Sequence, residues 1–264
     1  MAVLPAMDGF FEAVEGELVP ASHARSPWSD DMMHGRLLAG LLADAMERAH
    51  GDAEFQFARL TVDLFRPPPM APVAVTTTMV RDGRRIRAVD GSVTSEGTEV
   101  ARGSAVLLRR AEVPEGTVWT PPAWKVPHPD EIEPPAPRRG GMAIWETRPI
   151  SSGGFGSVEQ KRTWLRESRP LVSGQELSPF VRAAVAADFA NPFANSGDAG
   201  LQYINADITL YLHRLPESDW LGFEVTAHQA ADGVAVGHCA MHDTTGPIGH
   251  STVCAVANPR ARRR

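Results

Sequence analysis

Apolar and polar residues alternate along much of the chain, which is typical of strands with one buried face. Leu60, Val62 and Leu64 alternate with polar residues in the first half. Asp82-Gly83 and Ser95-Glu96-Gly97 supply turn residues between such segments. The predicted strands lie at 11–19, 57–66, 73–81, 85–94, 99–109, 159–166, 203–213, 221–229, 235–243 and 248–257. The pattern therefore predicts two antiparallel meanders.

Two segments have the helical period of apolar residues instead. The first is predicted over 32–49, with Asp30 or Asp31 as its N-cap. The second is predicted over 179–190, with Ser178 as N-cap, and should end where proline follows at Asn191-Pro192. A helix followed by a meander favours an α+β fold, with antiparallel sheet packed on one side of each helix.

The same order of elements occurs twice in the chain. Arg66 and Arg214 end matching strands and lie 148 residues apart. The same offset aligns 100–104 with 248–252, and Ala43-Asp44-Ala45 resembles Ala187-Asp188-Phe189. A proline-dense stretch separates the copies and predicts an extended linker. The predicted organisation is an N-terminal unit at 1–112, a linker at 113–141 and a C-terminal unit at 142–264.

Composition narrows the class of protein. The chain has 264 residues, 43% of them hydrophobic, and a net charge of −6, which argues against a nucleic-acid partner. The basic tail Arg260, Arg262, Arg263 and Arg264 is expected to be a disordered terminus. The sequence has no basic leader and no apolar run of membrane-spanning length, so no membrane partner is expected. Two cysteines, Cys239 and Cys254, give no disulfide framework, and a cytoplasmic protein is predicted.

Several ordered segments resemble a known family. The segments are His34–Gly40, Leu64–Pro67 and Val80–Gly83 in the first half, then Trp145–Pro149, Arg162–Arg166, Ala187–Phe189, Asp207–Arg214 and Ser251–Cys254 in the second. In that order they are similar to the type II acyl-CoA thioesterases. The resemblance implies a double hot-dog fold, α+β, with two long helices each wrapped by an antiparallel sheet. It also implies an acyl-CoA substrate held between the modules, no cofactor, and a homo-oligomer.

The family's catalytic set is an Asp late in the second helix, a Thr on the next strand and a Gln on the last strand. Carried over by position, the resemblance implies Asp188, Asn205 and Cys254 in these places, so one of the three residue types is kept. Thr209 is expected on the same strand face as Asn205, where its hydroxyl would replace the missing one.

Thioester hydrolysis needs a base for water and donors for the oxyanion. Asp188 among apolar neighbours is the candidate general base, since a buried carboxylate needs a partner or a function. His34-Gly35 at the start of the first helix would offer free N–H groups to the oxyanion. Arg81 and Arg85, with Arg84 and Arg87, are candidates for the coenzyme phosphates, although a solvated hairpin surface is the favoured explanation for these arginines.

Other interpretations stay open. Asp188 is alternatively a surface acid, and Cys254 a nucleophile or a small core residue. His242 and His250 could meet across a hairpin, but strand spacing argues against a metal site. Asp188 to Pro192 resembles a signature of hot-dog enoyl-CoA hydratases without its histidine. The alternative function to hydrolysis is an acyl-CoA-binding protein with little or no turnover.

Overall fold

The structure is a computed structural model that describes residues 9–136, 145–151 and 154–258. The beginning of the chain, the end of the predicted linker and the arginine tail at 260–264 lie outside the described residues. Among those that are described, no helix combines the length and the apolarity that crossing a membrane requires.

The described residues of the N-terminal half form one α-helix and eight strands. They are β1 (Phe11–Val14), β2 (Glu17–Pro20), β3 (Arg25–Ser26), β4 (Ser29–Met33), α1 (Gly35–His50), β5 (Phe55–Leu64), β6 (Val73–Asp82), β7 (Ile86–Ser95) and β8 (Thr98–Arg109). The predicted strand at 11–19 is the hairpin β1–β2, because Glu15 and Gly16 turn the chain with positive φ angles of 50° and 89°.

In the C-terminal half, the residues that the structure describes form two short α-helices and nine strands. They are β9 (Trp145–Pro149), β10 (Arg162–Glu167), α2 (Pro179–Ala187), α3 (Ala190–Ala194), β11 (Ser196–Gly197), β12 (Gly200–Leu201), β13 (Tyr203–Asn205), β14 (Asp207–Leu212), β15 (Leu221–Ala231), β16 (Val234–Asp243) and β17 (Gly246–Ala257).

A single antiparallel sheet joins the two halves. Its strand order is β1-β2-β6-β7-β8-β5-β14-β17-β16-β15-β10-β9, and β13 pairs with β17 beside this path. Strands β5 and β14 form the junction, from Asp63 opposite Asp207 to Arg59 opposite Tyr211. Backbone hydrogen bonds between β5 and β14 make the sheet continuous, so the helices of both halves share one antiparallel sheet.

Strand register confirms the predicted repeat. Thr61 pairs with Ser104 in the first half, and Thr209 pairs with Thr252 in the second, at the same 148-residue offset. A register shift after Val93 recurs after Met241, again at that offset. The two halves are therefore copies of one helix-and-meander unit.

The expectation of two long helices is wrong for the second helix. Helix α1 has 16 residues, whereas α2 has 9 and is followed by the five-residue α3. Pro192 does not end the helical segment but lies inside α3. N–H groups near a helix N-terminus have no intrahelical acceptor, so proline, which lacks an N–H, loses no hydrogen bond there. Ser178 is the N-cap as predicted, and its Oγ accepts from the Val181 N–H at 3.1 Å.

The first helix begins later than predicted. His34, not Asp30 or Asp31, is its N-cap, and the His34 side chain accepts from the Arg36 N–H. Ser29 to Met33 form β4 instead. The helices lie against each other on one side of the sheet, and a Cβ atom on Gly40 would come within 2.5 Å of Val185 Cγ2. Glycine at this position therefore lets α1 and α2 approach closely.

The described part of the linker, 113–136, contains no strand and is held to the C-terminal sheet by Trp124. The Trp124 ring stacks on His242, with centroids 4.1 Å apart, and meets Trp164 edge to face. The Trp164 indole N–H donates to Pro127 O at 3.0 Å. A Cβ atom on Gly222 would lie 2.4 Å from the Trp124 ring, so glycine is required beneath it.

Candidate functional site

The end of α2 and the start of α1 bring two ionisable side chains together. Asp188 follows the last residue of α2 and is 5% exposed, so it is not the surface acid of the alternative interpretation. One of its oxygens, Oδ2, lies 3.5 Å from His34 Nδ1. Because α1 and α2 pack side by side, the N-cap of one helix reaches the C-terminal end of the other.

Asn205 completes this group from the sheet. Its Nδ2 donates to Asp188 Oδ1 at 2.8 Å and lies 3.3 Å from Asp207 O. The sequence predicts Asp188, Asn205 and His34 in one site, and the structure brings these three side chains together. Gly35, the first residue of α1, lies beside them, and N–H groups in the first turn of a helix have no intrahelical acceptor.

Burial sets the charge of both groups. Burial raises the pKa of Asp188, and the Asn205 hydrogen bond and the nearby Arg36 charge oppose this rise. Burial, helped by Arg36, lowers the pKa of His34 to about 3. His34 is therefore a neutral imidazole at pH 7. Its Nδ1 accepts from the Arg36 N–H, so the ring proton is assigned to Nε2.

Cys254 does not reach this site. Asn205 pairs with Ala255 across β13 and β17, and paired residues share a face of the sheet. Cys254, one residue earlier, therefore faces the opposite way and is exposed. Burial and the Asp207 carboxylate raise the pKa of the Cys254 thiol to about 11, so a nucleophilic role is not supported either.

Thr209 also lies on the wrong face, which corrects the expectation that it shares a face with Asn205. Ala206 interrupts the strand between β13 and β14. Its N–H donates to Cys254 O, and its carbonyl accepts from the Leu64 N–H. The alternation of side chains between the two faces of the sheet therefore restarts at Asp207. Asn205 then points towards the helices, whereas Thr209 is on the outer face, with its Oγ1 3.3 Å from Thr61 Oγ1.

The predicted phosphate-binding arginines are distant from Asp188. Arg81 and Arg85 are exposed at the β6–β7 hairpin. Arg87 there bonds Asp52, just beyond the C-terminal end of α1, while His34 caps the other end. A helix of 16 residues is about 24 Å long, so the hairpin is roughly that far from His34. The structure thus does not join these arginines to the site.

Buried Arg36 and half-buried Trp145 lie beside the site, and neither is among the residues predicted to be functional. The Arg36 guanidinium is 1% exposed, pairs with Glu167, and lies between the rings of Phe10 and Trp145 at 4.7 and 4.6 Å. Trp145 also meets His34 and Phe189 edge to face. The only feature of the sequence that pointed to Arg36 is its position early in a predominantly apolar helix.

Among the described residues, no group of three or more His, Cys, Asp or Glu side chains is placed to hold a metal ion. His242 lies under Trp124 and is paired with Pro247 rather than with His250. The hydratase interpretation also lacks support, because the polar neighbours of Asp188 on the following turns are Asn191 and Asn195, and neither is a base.

The repeat predicts a second copy of the site, but the structure closes it with aromatic rings. The strand position equivalent to Asn205 is Phe57, whose ring stacks on Phe180 with centroids 4.3 Å apart. The equivalent N-cap, Ser178, donates to Glu47, while Asp44 pairs with Arg48. Within the described part of the chain, the site at Asp188 therefore keeps a polar strand residue, whereas its counterpart has an aromatic ring in that place.

Comparison with known proteins identifies the family. Residues 24–108 match the family model of the acyl-CoA thioesterase N-terminal domain, and residues 113–253 match that of the C-terminal domain. No curated protein matches the chain.

Solved structures show the same fold at low identity. A tesB protein of Mycobacterium avium subspecies paratuberculosis is 16% identical, with a TM-score of 0.71 over 94% of this chain and 96% of that one. Acyl-CoA thioesterase II TesB2 of Mycobacterium marinum is 17% identical, with a TM-score of 0.64 over 84% and 90%. A conserved hot-dog protein of Alicyclobacillus acidocaldarius is 18% identical, with a TM-score of 0.74 over 93% and 95%. These matches confirm the hot-dog fold and the resemblance seen in the sequence, and the chain belongs to the acyl-CoA thioesterase family.

Proposed function

We propose that this protein hydrolyses acyl-CoA thioesters to a free acid and coenzyme A, with Asp188 as the general base. The observation that carries the proposal is the buried Asp188 carboxyl group with Asn205 on one oxygen and His34 beside the other. A general base works best when its pKa lies closer to neutrality than that of a free carboxyl group, and burial moves Asp188 in that direction.

In the first step, Asp188 takes a proton from a water molecule while the water oxygen attacks the thioester carbonyl carbon. The carbonyl π electrons move to its oxygen, giving a tetrahedral oxyanion. Two donors suit this charge, the Gly35 N–H at the start of α1 and the Nε2–H of neutral His34. Neither donor needs to change its protonation state at pH 7.

In the second step, the oxyanion collapses, the carbon–sulfur bond breaks, and the coenzyme leaves as a thiol with the proton that Asp188 took from water. Between the steps the proton stays on the Asp188 carboxyl group, whose Oδ2 lies 3.5 Å from His34 Nδ1. Asn205 fixes the carboxyl plane by donating to Oδ1. The two steps consume only the thioester and water and return Asp188 to its ionised form, so the reaction requires no cofactor.

Release of free thiol from acyl-CoAs tests the proposal in the wild type and in Asp188→Asn. The variant should lose roughly 10²- to 10⁴-fold in kcat, the range for removal of a general base. Asp44→Asn is the matched control, because Asp44 occupies the corresponding turn of α1 and is ion-paired with Arg48 on the surface. Equal activity of Asp188→Asn and wild type would refute the assignment of the base.

A second candidate is an acyl-CoA-binding protein with little turnover. One observation favours it. The Cys254 side chain faces away from Asp188 and therefore contributes no group to the site. Calorimetric binding of an acyl-CoA to wild type, with no thiol released over many hours at any chain length, would establish it and exclude the first candidate.

A further inference from the structure

The helical segment of the C-terminal half is interrupted at Asp188, and Pro192 accounts for the interruption. In a regular α-helix the carbonyl of Asp188 would accept from the N–H of residue 192, but proline has no N–H and its ring crowds that carbonyl. Asp188 O accepts instead from the Asn191 N–H, at 3.1 Å. A regular helix would direct that N–H at Ala187 O, so Ala187 O is left for a donor outside the helix.

Ser251 supplies this donor from the sheet. Its Oγ lies 2.7 Å from Ala187 O, and because a carbonyl oxygen can only accept, the hydroxyl donates. Ser251 lies on β17 and is 0% exposed. A buried hydroxyl and a carbonyl displaced from the regular helical pattern therefore satisfy each other.

This hydrogen bond acts on Asp188 through the peptide group that joins it to Ala187. The Ala187 carbonyl and the Asp188 N–H and Cα lie in one plane, so a partner that holds Ala187 O also restrains the point where the Asp188 side chain leaves the backbone. Strand β17 carries Ala255 as well, which pairs with Asn205. One strand thus positions both the Asp188 carboxyl group and the amide that donates to it.

The first half shows the same strand position without a hydroxyl. The residue equivalent to Ser251, at the offset of 148, is Gly103. A Cβ atom on Gly103 would lie 3.0 Å from Leu42 Cδ1, and α1 passes over this glycine without interruption. Glycine therefore accompanies the continuous helix, whereas serine accompanies the interrupted segment that carries Asp188.

We propose that Ser251 is a positioning residue of the thioesterase site, which holds the turn at Asp188 so that its carboxyl group stays within reach of Asn205 and His34. The inference rests on the proposed function, since that function assigns the base to Asp188. Ser251 is buried beneath the helical segment and does not touch the substrate. Its removal should therefore slow the chemical step and leave substrate binding unchanged.

The test measures kcat and KM for thioester hydrolysis in Ser251→Ala. Misplacing a catalytic group by about 1 Å costs on the order of 100-fold, so we expect kcat to fall roughly 10- to 100-fold while KM stays within about twofold. Cys239→Ala is the matched control, because Cys239 pairs with Ser251 on β16, is equally buried, and its truncation leaves the bond to Ala187 in place. An unchanged kcat in Ser251→Ala, or an equal fall in both variants, would overturn the inference.

Titration of Asp188 separates this inference from the proposed hydrolysis. The carboxyl carbon of Asp188 is identified by NMR as the signal that is missing in Asp188→Asn, and its pKa is compared in wild type, Ser251→Ala and Cys239→Ala. The Asn205 hydrogen bond favours the ionised form, so a displaced carboxyl group that loses this bond has a higher pKa. A higher pKa of Asp188 in Ser251→Ala alone supports the positioning role even if no thioester is cleaved. Equal pKa values of Asp188 in the three proteins would overturn it even in an active thioesterase.

Discussion

Thr61 Oγ1 and Thr209 Oγ1 lie 3.3 Å apart where β5 meets β14, and the two residues are separated by 148 positions, the offset of the repeat. Each threonine is therefore the counterpart of the other, and an approximate twofold axis passes between them. Residues on one side of this axis have partners on the other, so functional asymmetry comes from differences between the two copies, including substitutions at equivalent positions.

The asymmetry is concentrated at one pair of positions, Asn205 and Phe57. Asn205 donates to Asp188, whereas Phe57 stacks on Phe180 and is 5% exposed. An amide and an aromatic ring thus occupy equivalent places, one hydrogen-bonding a carboxyl group and the other filling an apolar core. This difference is why we assign one catalytic site to a chain with two hot-dog units.

The Asn205 hydrogen bond should set the acidic limit of activity. The bond favours the ionised form of Asp188, so its removal in Asn205→Leu should raise the pKa of Asp188 further. Because the base must be ionised, the acidic limb of kcat/KM against pH should move to higher pH. Phe57→Leu at the equivalent position is the control and should leave that limb in place. An unmoved limb in Asn205→Leu would mean that another group limits the rate.

Much of the fold could be predicted from periodicity alone, because alternation and turn residues depend on local sequence. The strands of both meanders, the Ser178 N-cap and the repeat were all recovered within a few residues. The kink at Ala206 could not be, since it comes from hydrogen bonds to Leu64 and Cys254, which are distant in sequence. That one interruption reversed the faces expected for Thr209 and misplaced Cys254.

The site was predictable only in part, for a related reason. Asp188 stood out because an acid among apolar residues is unusual, and Asn205 followed from the family resemblance. Arg36 lies in a similar apolar context, but its partner Glu167 comes from the other half of the chain. Likewise, nothing local connects Trp124 in the linker with His242. Contacts between distant segments define these features, and periodicity carries no information about them.

The buried pair of Arg36 and Glu167 should be essential to stability as a pair. Removing one partner leaves an uncompensated buried charge, so Arg36→Met should lower the free energy of unfolding by about 3–5 kcal/mol. The double variant Arg36→Met with Glu167→Leu should recover much of that loss, because apolar groups can replace a buried ion pair. Urea unfolding of the two single variants and the double variant measures this. Additive losses in the double variant would contradict it.

The linker contact at His242 should make stability depend on pH. The pKa of His242 is lowered to about 4, first by burial and then by His250 and Arg214, while Asp243 opposes this change. Folding therefore favours the neutral ring under Trp124. The unfolded state therefore binds more protons, and stability should fall as pH drops from 6.5 towards 4. This loss of folding free energy is at most about 3 kcal/mol, and solvent screening reduces it.

The variant His242→Phe separates this contribution from that of other groups. Phenylalanine keeps a ring against Trp124 but cannot be protonated, so its loss of stability over the same pH range should be smaller. Thermal unfolding at several pH values, with tryptophan fluorescence followed in parallel, measures the difference. A pH dependence identical to that of wild type would show that other titrating groups cause the loss.

Asp188 should cost stability at the pH where it is proposed to act. Because burial raises its pKa, the ionised form is less favourable in the folded than in the unfolded chain, and the penalty is present in full above the folded pKa. Asp188→Asn removes the charge while Asn205 can still donate to the remaining amide oxygen. We therefore expect a higher Tm for Asp188→Asn at pH 8 and a smaller difference at pH 4, with hydrolysis lost. The opposite order of Tm values would mean that the ionised carboxylate stabilises the fold, and Asp188 would then be better explained as a structural residue.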